Sequence, residues 1–200
     1  YHQQVVCRLE GAVDLERLRG AWADTVARHP ALRTLFTWER RERPLQVVRQ
    51  AVEVPWRQLD WGGCEPGRRE RALAEWLAAD RREGFDLARA PLLRLAALEV
   101  GAQQLWLAWS FHHLAIDGWS AALVLREVFA RYAAAARGEA LVLPAVRPFQ
   151  DYLRWLQDHR DDTAAERFWR EQLAGFTTPV GPPPDRRGRS TYFRISLRSL

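Results

Sequence analysis

The sequence predicts a mixed α/β fold, and three observations carry that prediction. Apolar residues make up 48% of the chain and charged residues 28%, a balance that supports a packed core rather than a disordered chain. Short strand-like runs are interspersed with longer runs whose apolar residues recur at helical spacing. The order that results is β-α-β-β-α-β-β-α-α-α-β, with turn residues at most of the joints. At 200 residues the chain can bury a sizeable core, and its ten tryptophans supply large anchors for it.

Gln3 to Leu9 reads as the first strand, and Gly11 to Asp14 as a turn. Asp14 can cap the helix that follows, whose apolar stripe is Leu15, Leu18, Trp22 and Thr25 or Val26. His29-Pro30 stops this helix, because proline biases the preceding residue away from the α region. Leu32 to Trp38 and Pro44 to Val54 form a hairpin about a charged turn. Asp60 to Gly67 reads as a loop and Arg68 to Arg82 as a helix with Leu73, Trp76 and Leu77 on one face. Residues 85–91 are an irregular link. Leu92 to Val100 and Gln103 to Phe111 then pair as a second hairpin.

A long helix runs from about Asp117 to Arg137, with Ala121, Leu125, Val128 and Tyr132 on one face. Ser120 or Asp117 can cap its start, and Gly138 suits its end. Phe149 to Gln157 and Asp161 to Leu173 are two shorter helices. Gly175 to Ser190 is too rich in proline and glycine to be an element and reads as a linker. Thr191 to Leu197 alternates as a strand begins, and that strand needs a partner.

Several function classes are disfavoured at this stage. The formal charge is +5, but the arginines are interleaved with glutamates and no compact basic tract marks a nucleic-acid footprint. No segment reaches the ~18 consecutive apolar residues of a membrane span, and no signal-peptide pattern is present. Cys7 and Cys64 are the only cysteines, too few for a disulfide framework, so a reducing, cytoplasmic setting is expected. Both ends read as cuts from something longer, since strand patterns run up to them.

Chemistry is expected at Leu105 to Ser120, LWLAWSFHHLAIDGWS, where an apolar run ends in two histidines and a helical pattern begins. Adjacent residues of a strand point to opposite faces, so His112 and His113 do not easily share one ligand. With Asp117 they offer three metal-capable side chains, but no other histidine or cysteine lies close in sequence, and no metal is expected. One working histidine and one structural histidine remain, neutral imidazole being the usual base near neutral pH. Asp117 either contacts a ring nitrogen or pairs with an arginine that fixes the loop, and Gly118 permits a tight turn. No GxSxG nucleophile elbow and no phosphate-cradling glycine loop is present.

These residues resemble a known family. FHHLAIDGWS contains HHxxxDG complete, as His112, His113, Asp117 and Gly118, and is similar to the active-site motif of condensation domains of non-ribosomal peptide synthetases, relatives of chloramphenicol acetyltransferase. RHPALRTLF at 28–36 resembles the family's RHxxLRTxF stretch, and FDLARAPLLR at 85–94 its FDLxxxPLxR segment. RPFQDYLRWLQ at 147–157 resembles YxDYxxW, with Phe149 in place of the first tyrosine and then Asp151, Tyr152 and Trp155. ERFWREQLAG and PPPDRRG also fit, so the resemblance covers essentially the whole chain.

The resemblance implies a two-layer α/β (α+β) sandwich, a mixed sheet packed on helices. It implies that residues 1–174 are the N-terminal lobe, trimmed at its start, 175–190 an inter-lobe linker, and 191–200 the first strand of a C-terminal lobe. The implied reaction is attack of a carrier-bound aminoacyl amine on a carrier-bound acyl or peptidyl thioester, forming an amide. The substrates would arrive on 4'-phosphopantetheine arms of donor and acceptor carrier proteins, next to an adenylation domain and with no intrinsically bound cofactor. His113 is the implied catalytic residue. His112 is a supporting histidine. Asp117 is expected to pair with a buried arginine, Arg33 first and Arg28 second. Gly118 is assigned to the turn and to room for the arm, and Trp119 is a candidate for the tunnel lining. Epimerisation and ester formation are alternatives on the same fold, epimerisation using the same histidine with a glutamate from the other lobe. A fragment that docks carriers without activity of its own is the alternative of another class.

Overall fold

The computed structural model describes residues 1–178 and the backbone of Phe193–Arg198. The chain divides into two units, 1–146 with the strand at 193–198, and a second unit beginning at Arg147. The linker expected over 175–190 falls mostly outside the described residues, as does the start of the last strand at 191–192.

The first unit is built on a five-stranded mixed sheet. Its strands are β1 (His2–Glu10), β4 (Trp56–Asp60), β5 (Leu93–Gly101), β6 (Gln104–His112) and β7 (Phe193–Arg198). Their order is β4-β5-β6-β1-β7. The β5–β6 hairpin forms as the turn at its centre predicts, and β6 pairs antiparallel with β1, so that His2 stands opposite His112. The last strand finds its partner on β1, in parallel register from Val5–Phe193 to Glu10–Arg198. A separate two-stranded sheet pairs β2 (Thr34–Thr37) with β3 (Leu45–Val48), the first expected hairpin in shortened form.

Period-two alternation sorts the side chains of the central strands onto two faces. One face carries Val5, Cys7 and Leu9 with Leu93, Leu95, Leu107, Trp109 and Phe111. It packs against α1 (Leu15–Arg28) through Leu18, Trp22 and Val26, and against α3 (Gly118–Arg137) through Val124, Val128 and Tyr132. Trp22 and Trp109, both fully buried, meet edge to face with centroids 5.0 Å apart. The opposite face carries Val6, Ala96, Leu98 and Trp106 and packs against Leu73 and Leu77 of α2 (Pro66–Glu83). The mixed α/β class therefore holds, but the expected two layers need a correction. Helices cover both faces, because β5 and β6 are apolar along nearly their whole length and cannot leave one face in water.

Local chemistry sets the helix ends. Asp14 accepts from the Arg17 backbone N–H at 2.9 Å and starts α1, which stops at His29-Pro30. Gly138 closes α3 in the left-handed region, at φ 67°, and the Glu139 N–H returns to the Ala134 carbonyl. Two elements escaped the sequence reading. A 3-10 turn at Pro30–Arg33 takes in the first two residues of the run expected to be a strand from Leu32. β4 lies between the expected hairpin and the loop expected at Asp60–Gly67, where no element is predicted, because its side chains, mostly exposed, carry little alternation. It is an edge strand, paired in parallel with β5 alone, and so needs few apolar residues.

The second unit contributes α4 (Phe149–His159) and α5 (Asp162–Gln172), as expected. Phe149, Tyr152, Trp155 and His159 stack in a row along α4 at helical spacing. Asp161 caps α5 by accepting from the Ala164 N–H at 2.8 Å.

Candidate active site

Strand β6 ends at His112, and His113 is the first residue beyond it. Both are tied to the sheet through the backbone. The His112 N–H donates to the Leu92 carbonyl at 2.9 Å, and the His113 N–H donates to the Tyr1 carbonyl at 2.8 Å. The strand parity that makes the two histidines inequivalent is realised. His112 follows Ala108 and Ser110 onto the face covered by α2. There its ring meets the edge of Phe85 at a centroid distance of 6.4 Å.

The side-chain hydrogen bonds then give the two rings opposite tautomers. Nδ1 of His113 lies 2.8 Å from the Ile116 carbonyl, which can only accept, so this nitrogen carries the proton. In the neutral ring the Nε2 lone pair is then free to take a proton. Nδ1 of His112, by contrast, accepts from the Leu114 N–H at 3.2 Å and must be bare. Burial lowers the pKa of His112, because it disfavours the charged ring. The three-residue step from His113 to Ile116 folds the loop back so that the backbone itself orients the ring.

Asp117 caps α3. Its Oδ1 accepts from the Ser120 N–H at 2.7 Å, and it stands in the extended conformation usual for a helix cap. The expected ion pair to Arg33 or Arg28 is not formed. Asp117 is exposed, so no desolvation penalty demands an arginine, and the helix N–H groups already satisfy it. Arg33 instead donates to the backbone carbonyls of Arg49 and Gln50 beyond β3. Arg28 pairs with Glu127 of α3 at 3.2 Å and donates to the Pro144 carbonyl.

Asp117→Ala is therefore expected to cost about 1 kcal/mol, read as a lowered urea midpoint with the chain still folded. Loss of the fold would overturn the capping role. Hydrogen bonds from Ser120 hold the Asp117 carboxyl below its usual range. The stabilisation it lends is thus present above about pH 4 and fades as pH falls through the lowered value.

Gly118 needs a second correction. It is the first residue of α3, and a Cβ built there would meet nothing within 4 Å, so the turn does not require glycine. Trp119 is 86% exposed, and Leu114 and Leu123 are also exposed, which leaves an apolar surface around the histidine loop. Beside it lies a groove of about 510 Å³, lined by Leu32, Ile116, Ser120, Leu123, Val124 and Glu127 among others.

Sequence reasoning missed one feature of this region. Asp80 of α2 is only 3% exposed, yet it is a carboxylate. Its Oδ1 accepts from Arg94 Nε at 2.5 Å, and its Oδ2 accepts from Gln4 Nε2 at 2.7 Å and from Ser110 Oγ at 2.6 Å. His2 Nε2 lies 3.3 Å from the same oxygen. Burial alone would raise the Asp80 pKa, but the hydrogen bonds from His2, Arg94 and Ser110 outweigh it and hold the carboxyl well below its usual range. The available signal was Arg94, the last residue of the FDLARAPLLR segment and the one basic side chain on a mostly buried strand.

Among the described residues no group of histidine, cysteine or acidic side chains is arranged to hold a metal ion, and no helix is long and apolar enough to cross a membrane.

The chain is similar to known proteins in sequence and in fold. A family model described as "Condensation domain" matches residues 1–196. The chain is 40% identical over 191 residues to one of the linear gramicidin synthase proteins of Brevibacillus parabrevis. The match takes in 96% of this chain and 2% of that protein. Two solved structures, each 24% identical, share the fold. One is the first condensation domain of the calcium-dependent antibiotic synthetase, with a TM-score of 0.79 over 90% of this chain and 44% of that one. The other is the epimerization domain from the third module of tyrocidine synthetase B, with a TM-score of 0.76 over 92% and 42%. The chain thus spans a small fraction of its curated relative and less than half of each solved neighbour. With the family model matching nearly end to end over a complete HHxxxDG motif, this chain belongs to the condensation domain family.

Proposed function

We propose that this chain supplies the histidine-bearing wall of a site that forms an amide between two carrier-bound substrates in non-ribosomal peptide synthesis. The observation that carries the reading is the His113 ring. Its Nδ1 donates to the Ile116 carbonyl, so its Nε2 lone pair is free beside an exposed apolar surface. On this reading the amine of the acceptor aminoacyl thioester attacks the donor thioester carbonyl. His113 Nε2 takes a proton from the attacking nitrogen or the tetrahedral intermediate, an amide forms and the donor carrier thiol leaves. A thioester is already activated, and holding two tethered partners in line supplies as much of the rate as the base, or more. His113 therefore assists and aligns.

The substrates arrive on 4'-phosphopantetheine arms of donor and acceptor carrier proteins, with an adenylation domain adjacent, in the cytoplasm. Residues 1–174 act as the N-terminal lobe, 175–190 as a linker, and 191–200 as the start of a second lobe that provides the opposite wall. Trp119, exposed beside the loop, lines the passage for the arm, and Gly118 leaves room for it. The fold alone does not choose between amide formation and epimerisation, since neighbours of both kinds share it. The test uses the full synthetase that contains this chain, with both carriers loaded with defined aminoacyl groups and followed by intact mass spectrometry. The dipeptide should build up on the acceptor carrier as the donor carrier is emptied. An unchanged donor mass together with inversion of its α-carbon would replace this reading by epimerisation.

A further inference from the structure

The buried cluster around Asp80 stands on the sheet face opposite the α1–α3 core, yet every strand it holds ends at the histidine loop. Gln4 and His2 belong to β1, and Tyr1, the next residue back, is the acceptor of the His113 N–H. Arg94 belongs to β5, two residues from Leu92, which accepts the His112 N–H. Ser110 belongs to β6 itself, three residues before His113. One carboxylate on α2 thus ties down the end of β6 from which the loop departs and the two strand ends that hold its histidines by backbone hydrogen bonds.

The ties are directional. Besides Asp80 Oδ1, Arg94 binds the backbone carbonyls of Asp80 and Gly84, and its guanidinium lies 4.4 Å from the Phe85 ring centroid. Phe85 also packs on His2, at 5.0 Å, and on the edge of His112. Gln4 donates to the Leu77 carbonyl and accepts from Arg81. Apolar packing would hold the same strands together without setting how far each one reaches. A buried charge that accepts from three strands fixes their ends relative to one another, because a shift of any strand leaves a donor or the carboxylate unpaired.

We infer that Asp80, with Arg94, is a positioning residue for His113: it acts through the ends of β1, β5 and β6 to set the backbone that holds the His113 ring against the Ile116 carbonyl. It touches no substrate. The inference rests on the reading of His113 as the working histidine.

The test combines the ring state of His113 with steady-state kinetics in the full synthetase chain. The ring is followed by ¹⁵N-histidine NMR, with His113 assigned from a His113→Gln spectrum. In the parent the His113 ring should hold a single tautomer, protonated at Nδ1. In Asp80→Asn the ring should exchange between tautomers, and kcat should fall about 10- to 100-fold, as for a misplaced catalytic group. KM should stay within about twofold, since no substrate contact is lost. Ser110→Ala, which removes a single tie, should move both readouts the same way by a smaller amount, and it decides the matter if Asp80→Asn fails to fold. Arg71→Gln, on the exposed side of α2, should leave both at the parental values.

A folded Asp80→Asn or Ser110→Ala chain with the parental tautomer and the parental kcat would overturn the inference and leave Asp80 a stabilising residue only. Should His113→Ala itself react at the parental rate, the reading of His113 fails instead. The tautomer would still report whether Asp80 positions the ring.

Discussion

His113→Ala is expected to lower the rate of amide formation by ~10²–10⁴-fold, the range typical of a positioned proton acceptor. The geometry makes this loss specific to one residue. His112, next in the chain, has its Nδ1 occupied by the Leu114 N–H and its ring packed toward Phe85, so it cannot substitute. The loss should fall in the chemical step, measured as single-turnover transfer between loaded carriers, with binding of the carriers unchanged. Orientation of two tethered substrates survives the substitution, which is why the rate should not fall to the uncatalysed value. His113→Gln makes the test sharper, because it keeps polar bulk but offers no proton acceptor of comparable basicity. An unchanged single-turnover rate in both variants would show that alignment alone carries the reaction.

Arg94→Met is expected to destabilise the domain by ~3–5 kcal/mol, because it removes one partner of a buried ion pair and leaves the Asp80 charge behind. Urea denaturation would report the effect as a lowered midpoint. The pH dependence gives it a signature that a lost apolar contact would lack. In the parent the folded-state pKa of Asp80 lies below its unfolded value, so the stabilisation is fully present above about pH 4 and is lost as pH falls through the folded value. In Arg94→Met the same carboxyl is easier to protonate, and protonation removes the unpaired charge. The gap between parent and variant should therefore narrow on acidification below about pH 4. A gap that stays constant from neutral to acid pH would mean that Arg94 contributes through packing alone.

Much of this site was legible before any coordinates. HHxxxDG sat at the end of the most apolar run, and period-two geometry separated its two histidines because that geometry is a local property of any strand. The capping roles of Asp14 and Asp117 and the stop at Gly138 were readable for the same reason. Each depends on three or four neighbouring residues and on hydrogen bonds the backbone needs wherever a helix begins or ends. Asp117 also shows where such reading runs out. A carboxylate in a motif invites a buried partner, but whether it is buried depends on what covers the loop. Here it is exposed and caps α3, while Arg33 and Arg28 are engaged elsewhere.

The chain's own order of residues determined the alternation of strands and helices, the place of the histidine loop and the family to which both belong, because those follow from short-range periodicity and from a contiguous motif. Only the tertiary structure decided that helices lie on both faces of the sheet, that polar β4 joins its edge, and that Gln4, Asp80, Arg94 and Ser110 meet in one buried cluster. The physical reason is separation. Gln4 and Ser110 stand 106 residues apart, and nothing near either announces the other. A buried charge becomes readable only when the strands that supply its partners are laid side by side. The loop of His112 and His113 was thus visible as a motif, while the device that holds it from behind became visible only in three dimensions.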